Sequence, residues 1–260
     1  MLKTLPVRMA ATCNIQLIHA IETQNNKMAV ILNIEASTDV CSVALSESGE
    51  VFFKRESSES RSHAQVLAPF VEEAIATADS RAMKIDAVAL SSGPGSYTGL
   101  RIASSTAKGV CYGREIPLIA IPTTKIMAVP VLFRDDLPDD ALLCPMIDAR
   151  RNEVYTTIYD RALNVRMETR AEIVTPDSFA EYLDAHPVYF FGDGAAKCST
   201  IITHPNARFL DKYRNPLAKW MMPLAERAWL DEKFEDIAYF EPFYLKNFIA
   251  TKSKDLLKTT

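Results

Sequence analysis

Apolar and polar positions along the chain fall into one order of elements that is read twice. Ala29–Glu35 is a continuous apolar run, the pattern of a strand buried on both faces. Val40–Ser46 and Glu50–Glu56 alternate as half-buried strands do, with the turn Glu47-Ser48-Gly49 between them. Val66, Leu67, Phe70, Val71, Ala74, Ile75 and Ala78 recur at helical spacing and predict an amphipathic helix of about four turns. Ile85–Leu90 is another buried strand, ended by the turn-rich Ser91-Ser92-Gly93-Pro94-Gly95. A helix from Thr98 to Tyr112 and a strand at Leu118–Ile121 follow, and Pro122 opens a further helix.

From Leu142 the same βββαβαβα order returns. Leu142–Asp148 is apolar, Glu153–Tyr159 and Leu163–Ile173 alternate, and a helix is expected after Pro176, with Phe179, Tyr182 and Leu183 on one face. Val188–Phe191 reads as a short strand, and Gly192-Asp193-Gly194 opens the next helix. Ala207–Leu210 is the last predicted strand and Leu217–Phe234 a long closing helix. Single positions match as well: Ile34-Glu35 and Ile147-Asp148 end the first strand of each half, and the two glycine turns fall at equivalent places. A duplicated unit of this order belongs to α/β proteins with two ribonuclease-H-like lobes, the actin and sugar-kinase (ASKHA) superfamily. The expected division is a disordered leader at 1–27, an N-terminal lobe at 28–130, a C-terminal lobe at 131–250 and a basic tail at 251–260.

Composition narrows the function. The 33 acidic residues outnumber the 29 basic ones, giving a formal charge of −4. Such a chain has no general pull toward phosphate backbones, so contact with RNA is expected to be local or made by a partner. Lys246, Lys252, Lys254 and Lys258 make the C-terminus basic, which reads as a solvated tail. The 5 cysteines are scattered without a C-x-x-C, against a disulfide framework or structural zinc and in favour of a reducing, cytoplasmic compartment. No apolar run approaches the ~18–20 residues of a membrane span. Polar residues interrupt every apolar stretch of Met1–Lys27, so it lacks the core of a signal peptide.

Candidate chemistry lies at the turns. A phosphate-binding turn in this superfamily needs an acid for Mg²⁺ and a glycine that lets backbone N–H groups approach. Here the turns read Glu35-Ala36-Ser37-Thr38 and Asp148-Ala149-Arg150-Arg151, with both acids and neither glycine. Glu35, Ser37 and Asp148 are thus either a residual nucleotide site or turns kept for packing. Gly93-Pro94-Gly95-Ser96-Tyr97-Thr98-Gly99-Leu100-Arg101 is neither a Walker A loop nor a nucleophile elbow. It is a glycine-hinged turn into a helix with Ser96 or Thr98 as N-cap. Its N–H groups and Arg101 suit an anion or a partner carboxylate, or the turn serves close packing. The 4 histidines show no ligand spacing, so a metallopeptidase site has no ligands. His63 opens the first long helix, where a partner contact or a capping role are both open.

Ile34-Glu35-Ala36-Ser37, Ser62-His63-Ala64-Gln65, Gly93 to Arg101, Ile147-Asp148-Ala149-Arg150 and Phe243-Tyr244-Leu245-Lys246 resemble the TsaB (YeaZ) family, in order across Met28 to Lys246. The resemblance implies a non-catalytic scaffold or activator of the threonylcarbamoyltransferase TsaD in threonylcarbamoyladenosine modification of tRNA. It implies a TsaD homologue in a heterodimer, a TsaE homologue as ATPase, a possible homodimer, and only indirect contact with tRNA. ATP and a metal would work in the partners, with no cofactor on this chain. Where TsaD has an H-x-x-x-H metal pair, this chain has Thr123 and Met127, and Glu35-Ala36 replaces the family's usual Asp-Thr. Docking would run through the first two long helices, which offer His63, Leu67, Val71, Ile75, Leu100, Ser104, Lys108 and Val110. A weak ATPase or phosphotransferase of the same fold is the alternative, and a peptidase a more distant one.

Overall fold

The computed structural model describes residues 29–59 and 63–246. The leader, Ser60-Arg61-Ser62 and the basic tail therefore lie outside the described residues. The first lobe is a five-stranded sheet of β1 (Val30–Glu35), β2 (Cys41–Glu47), β3 (Glu50–Ser57), β4 (Ile85–Gly93) and β5 (Leu118–Pro122). Helix α1 (His63–Ser80) precedes β4, α2 (Tyr97–Arg114) follows it, and the short α3 (Thr123–Ala128) follows β5. The spatial order is β3-β2-β1-β4-β5, with β1 antiparallel to β2 and parallel to β4.

The second sheet holds β6 (Leu142–Asp148), β7 (Glu153–Tyr159), β8 (Val165–Ile173), β9 (Val188–Phe191) and β10 (Ala207–Leu210) in the order β10-β9-β6-β7-β8. Counted within each lobe, both sheets run third-second-first-fourth-fifth. The central β1 and β6 are apolar because each has neighbours on both sides and cover on both faces. This is the duplicated ribonuclease-H-like architecture that the strand pattern predicts.

The second lobe's expected helices are present but short, and the closing helix departs from expectation. The helix after Pro176 is a single turn, α4 (Ala180–Leu183), and the next, α5 (Ala195–Cys198), is no longer. The long closing helix breaks in two. A 3-10 turn at Ala218–Trp220 precedes α6 (Met222–Leu230), because Pro223 has no N–H to offer an upstream carbonyl and suits only a helix start.

Packing between the lobes' segments crosses the expected boundaries. Met127, Ala128 and Val131 pack with Leu143, Tyr159 and Phe191, so the chain enters the second lobe's core before residue 131. It also leaves that lobe early. Ala218, Met221 and Ala225 pack on Ile31, Ala44 and Ala87 beneath the first sheet, and Phe240 reaches the core on its other face. Side chains between Ala218 and Phe240 thus pack on both faces of the first sheet.

Candidate functional site

The site the fold should carry lies where β1 ends, and there the glycine loop is pressed onto the strand's turn. Ser96 N–H donates to the Ser37 carbonyl at 2.6 Å. A Cβ added at Gly95 would lie 2.8 Å from Ser37 Cβ, and one at Gly99 would overlap the Ala36 carbonyl oxygen. The glycines thus serve backbone-to-backbone approach of loop and turn. Two further amides of the segment are engaged: Gly99 N–H donates to Ser96 Oγ at 3.3 Å, making Ser96 the N-cap of α2, and Leu100 N–H donates to the Ser96 carbonyl at 2.9 Å.

Glu35 is fully buried beneath this junction. Its Oε1 accepts from Ser37 N–H at 2.6 Å and from Ser37 Oγ at 2.5 Å. Burial pushes the carboxyl from its usual 4.5 up to about 7, against the opposing hydrogen bonds from Ser37. Ser91 lies near enough to lower it a little, yet outside hydrogen-bonding geometry, and among the described residues Oε2 finds no partner. The second lobe's acid is differently placed. Asp148 is exposed, pairs with Lys197 Nζ at 2.5 Å and accepts from Arg150 N–H at 2.7 Å. Lys197 also donates to the carbonyls of Arg151 and Glu153, at 2.8 and 2.7 Å. The Asp193 carboxylate accepts from Asp148 N–H at 2.9 Å and, mainly through burial, is shifted upward. A cation of the chain itself thus pairs with the second lobe's acid.

The positions that the resemblance sets against a metal pair are core. Thr123 and Met127 are buried on α3, and a Cβ at Gly192 would meet Met127 Cε at 2.6 Å. Among the described residues no three His, Cys, Asp or Glu side chains gather as a metal site.

The C-terminal segment completes the site, and sequence reasoning did not place it. Glu235 N–H donates to the Leu118 carbonyl at 2.8 Å and Phe243 N–H to the Ser92 carbonyl at 2.7 Å. The Phe243 carbonyl lies so close that a Cβ at Gly93 would fall 2.6 Å from it. Tyr244 then packs on Tyr97 with ring centroids 4.7 Å apart, and Lys246 pairs with Glu153 of the second lobe. Residues 235–246 form a strap over the glycine loop. Its sequence signal was the Phe243–Lys246 motif; its destination, a carbonyl some 150 residues upstream, was not encoded locally.

The helix candidates divide. Leu67 and Val71 are buried in the chain's own core with Ala103 and Ala107, as is Leu100, so they are not available to a partner. His63 is half-buried at the start of α1, and Lys108 is half-buried with Nζ 6.0 Å from the Phe240 ring. The outward face of α2 carries Thr98, Arg101, Ser105, Gly109 and Tyr112, the last 84% exposed. Arg101 lies 6.0 Å from the Tyr97 ring. Tyr97, Thr98, Arg101 and Ser105 line a groove of about 560 Å³ along α2.

Two lobes of one strand order, each with an acid at the end of its first strand, place the molecule in the actin and sugar-kinase superfamily. More closely, the chain belongs to the family described as TsaD, tRNA N6-adenosine threonylcarbamoyltransferase, whose model matches residues 56–251, and within it to the TsaB (YeaZ) group. It is 28% identical over 231 residues to the tRNA threonylcarbamoyladenosine biosynthesis protein TsaB of Haemophilus influenzae, covering 85% of this chain and 95% of that protein. The Escherichia coli protein of the same name is 29% identical over 232 residues, covering 85% and 96%. The solved structure of YeaZ from Pseudomonas aeruginosa superposes with a TM-score of 0.70 at 27% identity, over 84% of this chain and all of that one.

Proposed function

We propose that the chain is a non-catalytic subunit in threonylcarbamoyladenosine modification of tRNA, docking on the threonylcarbamoyltransferase through α1 and α2 and ordering that enzyme's site. The observation that carries this reading is the seating of Gly95 and Gly99 on Ala36 and Ser37. It fills the approach a phosphate would need, while Lys197 covers Asp148. The names of the Haemophilus influenzae and Escherichia coli relatives support the pathway. ATP and metal chemistry then belong to the partners, a TsaD homologue and a TsaE-like ATPase, and this chain meets tRNA through them in the cytoplasm. The described helices include none long and apolar enough to cross a membrane.

The outward face of α2 supports docking. Gly109 and Gly113 lie inside the helix with nothing within 4 Å of a Cβ built on either. Each such glycine costs roughly 0.5–1 kcal/mol relative to alanine, and neither returns it through packing within the chain. A second helix laid along Ser105, Gly109 and Tyr112 gains the close backbone approach that these glycines permit.

Co-expression with the same organism's transferase tests the reading. The wild-type chain co-elutes with the enzyme, and Tyr112→Glu, at a position 84% exposed and so harmless to folding, does not. Undiminished co-elution of Tyr112→Glu, or ATP hydrolysis by the lone chain that Asp148→Asn abolishes, defeats it.

A further inference from the structure

A second surface lies away from α1 and α2, along the outer edge of the first sheet. Strand β3 is the end strand, paired with β2 on one side, so among the described residues its other edge has no ladder partner. Two hollows run beside that edge. One, of about 360 Å³, is lined by Val51 to Lys54 and by Val129, Phe133, Trp220 and Met222. The other, of about 550 Å³, is lined by Glu56 to Ser58 and by Lys212, Arg214 and Leu217. Lys219 and Trp220 border both, so they form one trough between β3 and the segment leading into α6.

The trough's chemistry is apolar at one end and basic along its length. Phe133 is 61% exposed there, beside Trp220 with ring centroids 6.2 Å apart. Among the lining residues Lys54, Lys212, Arg214 and Lys219 face a single carboxylate, Glu56, and Lys219 pairs with it at 3.1 Å. Lys54, Lys212 and Arg214 have no ion-pair partner among the described residues. Three cations without an ion-pair partner among the described residues, in one trough, run against the chain's formal charge of −4.

We propose that this trough receives an extended, acidic segment of a partner protein, laid along β3 with one large apolar side chain in the hollow beside Phe133 and Trp220. Three observations select this occupant. An open strand edge offers main-chain hydrogen bonds to an extended peptide. The apolar hollow offers an anchor site, and the flanking cations complement carboxylates. The edge is also guarded: Phe52 is a bulged residue between the pairs Leu45–Phe53 and Ser46–Val51, and Lys54 stands on the edge. Bulge and lysine deter another apolar or basic strand, but an acidic one is favoured by the same lysine. Single-stranded RNA fits less well. It needs open aromatic faces for its bases, and Lys219 Nζ covers the Trp220 ring at 5.6 Å from the centroid.

Fluorescence anisotropy of the full chain tests this with three labelled probes: a short peptide of glutamates around a Phe-Val pair, the same peptide with lysines for glutamates, and an oligouridylate. The acidic peptide is expected to bind, with affinity falling as salt rises and amide protection appearing in β3. Lys54→Glu or Arg214→Glu should weaken it about tenfold, in line with loss of a charged contact at an interface, and Phe133→Ser should also weaken it. Co-elution with the transferase through α2 should be unchanged by these variants. The proposal is overturned if the acidic peptide does not bind, or if its binding ignores Lys54→Glu and Arg214→Glu. It is also overturned if the basic peptide or the RNA binds as well or better.

Discussion

The first lobe covers one face of its sheet with two helices of 18 residues each, whereas at the same points in the strand order the second lobe has two helices of four. Both sheets have five strands in one topology, and both have closed cores. The second lobe shows that single turns suffice to close such a sheet. In the first lobe both helices bury side chains along their length, from Leu67 to Ala78 and from Leu100 to Cys111, and they also present an outward face rich in small and polar residues. The acids differ in the same sense. Glu35 is sealed under a loop, and Asp148 is exposed but held by Lys197. Burial engages the first-strand acid of one lobe, and an internal ion pair engages that of the other.

Substitutions can break this comparison. The largest effect is expected at Gly99, where a β-carbon would overlap the Ala36 carbonyl. Gly99→Ala should destabilise the chain by about 3 kcal/mol or more, the upper range for overpacking, as read from urea denaturation. A neutral Gly99→Ala would mean that loop and turn are not packed as described.

Next comes pH. Glu35 has its folded pKa raised from 4.5 to about 7, so below pH 4.5 folded and unfolded states both hold the proton. Between these values unfolding releases it, and stability falls as pH rises, by about 1.4 kcal/mol for each pH step of one, to a plateau above 7. Glu35→Gln should remove that slope and leave the chain more stable at pH 8, by up to roughly 3 kcal/mol. Asp193, also shifted upward, adds a slope of the same sign that begins above its usual 3.8. Thermal denaturation across pH of Glu35→Gln against Asp193→Asn separates the lobes, and an unchanged slope in Glu35→Gln would place the buried charge elsewhere.

The smallest effect sharpens the contrast between the glycines. Gly109→Ala should stabilise the lone chain by about 0.5–1 kcal/mol while weakening its complex with the transferase. Calorimetric titration against that enzyme checks the second half.

The strands were legible because apolar runs and alternation are set by burial on one or both faces, which does not depend on distant partners. Helix length in the second lobe was not. Phe179, Tyr182 and Leu183 do share a face, yet only one turn forms. Leu217–Phe234 has helical periodicity, but Pro223 divides it. The strap was hidden because its contacts, Phe243 to Ser92 and Tyr244 to Tyr97, join residues far apart in the chain. At the site, the missing phosphate-turn glycines and the Thr123 and Met127 replacements could be read directly. That Gly95 and Gly99 serve the Ala36-Ser37 turn, and that Leu67 and Val71 belong to the core, needed the fold.

Reconstituted tRNA modification, with purified transferase, its ATPase partner and this chain, tests the central claim most directly. Docking without turnover predicts that Asp148→Asn and Glu35→Gln support modification as the wild type does, and that Tyr112→Glu does not. Loss of modification with Asp148→Asn while Tyr112→Glu retains it would show that this chain works through its cleft and not through α2.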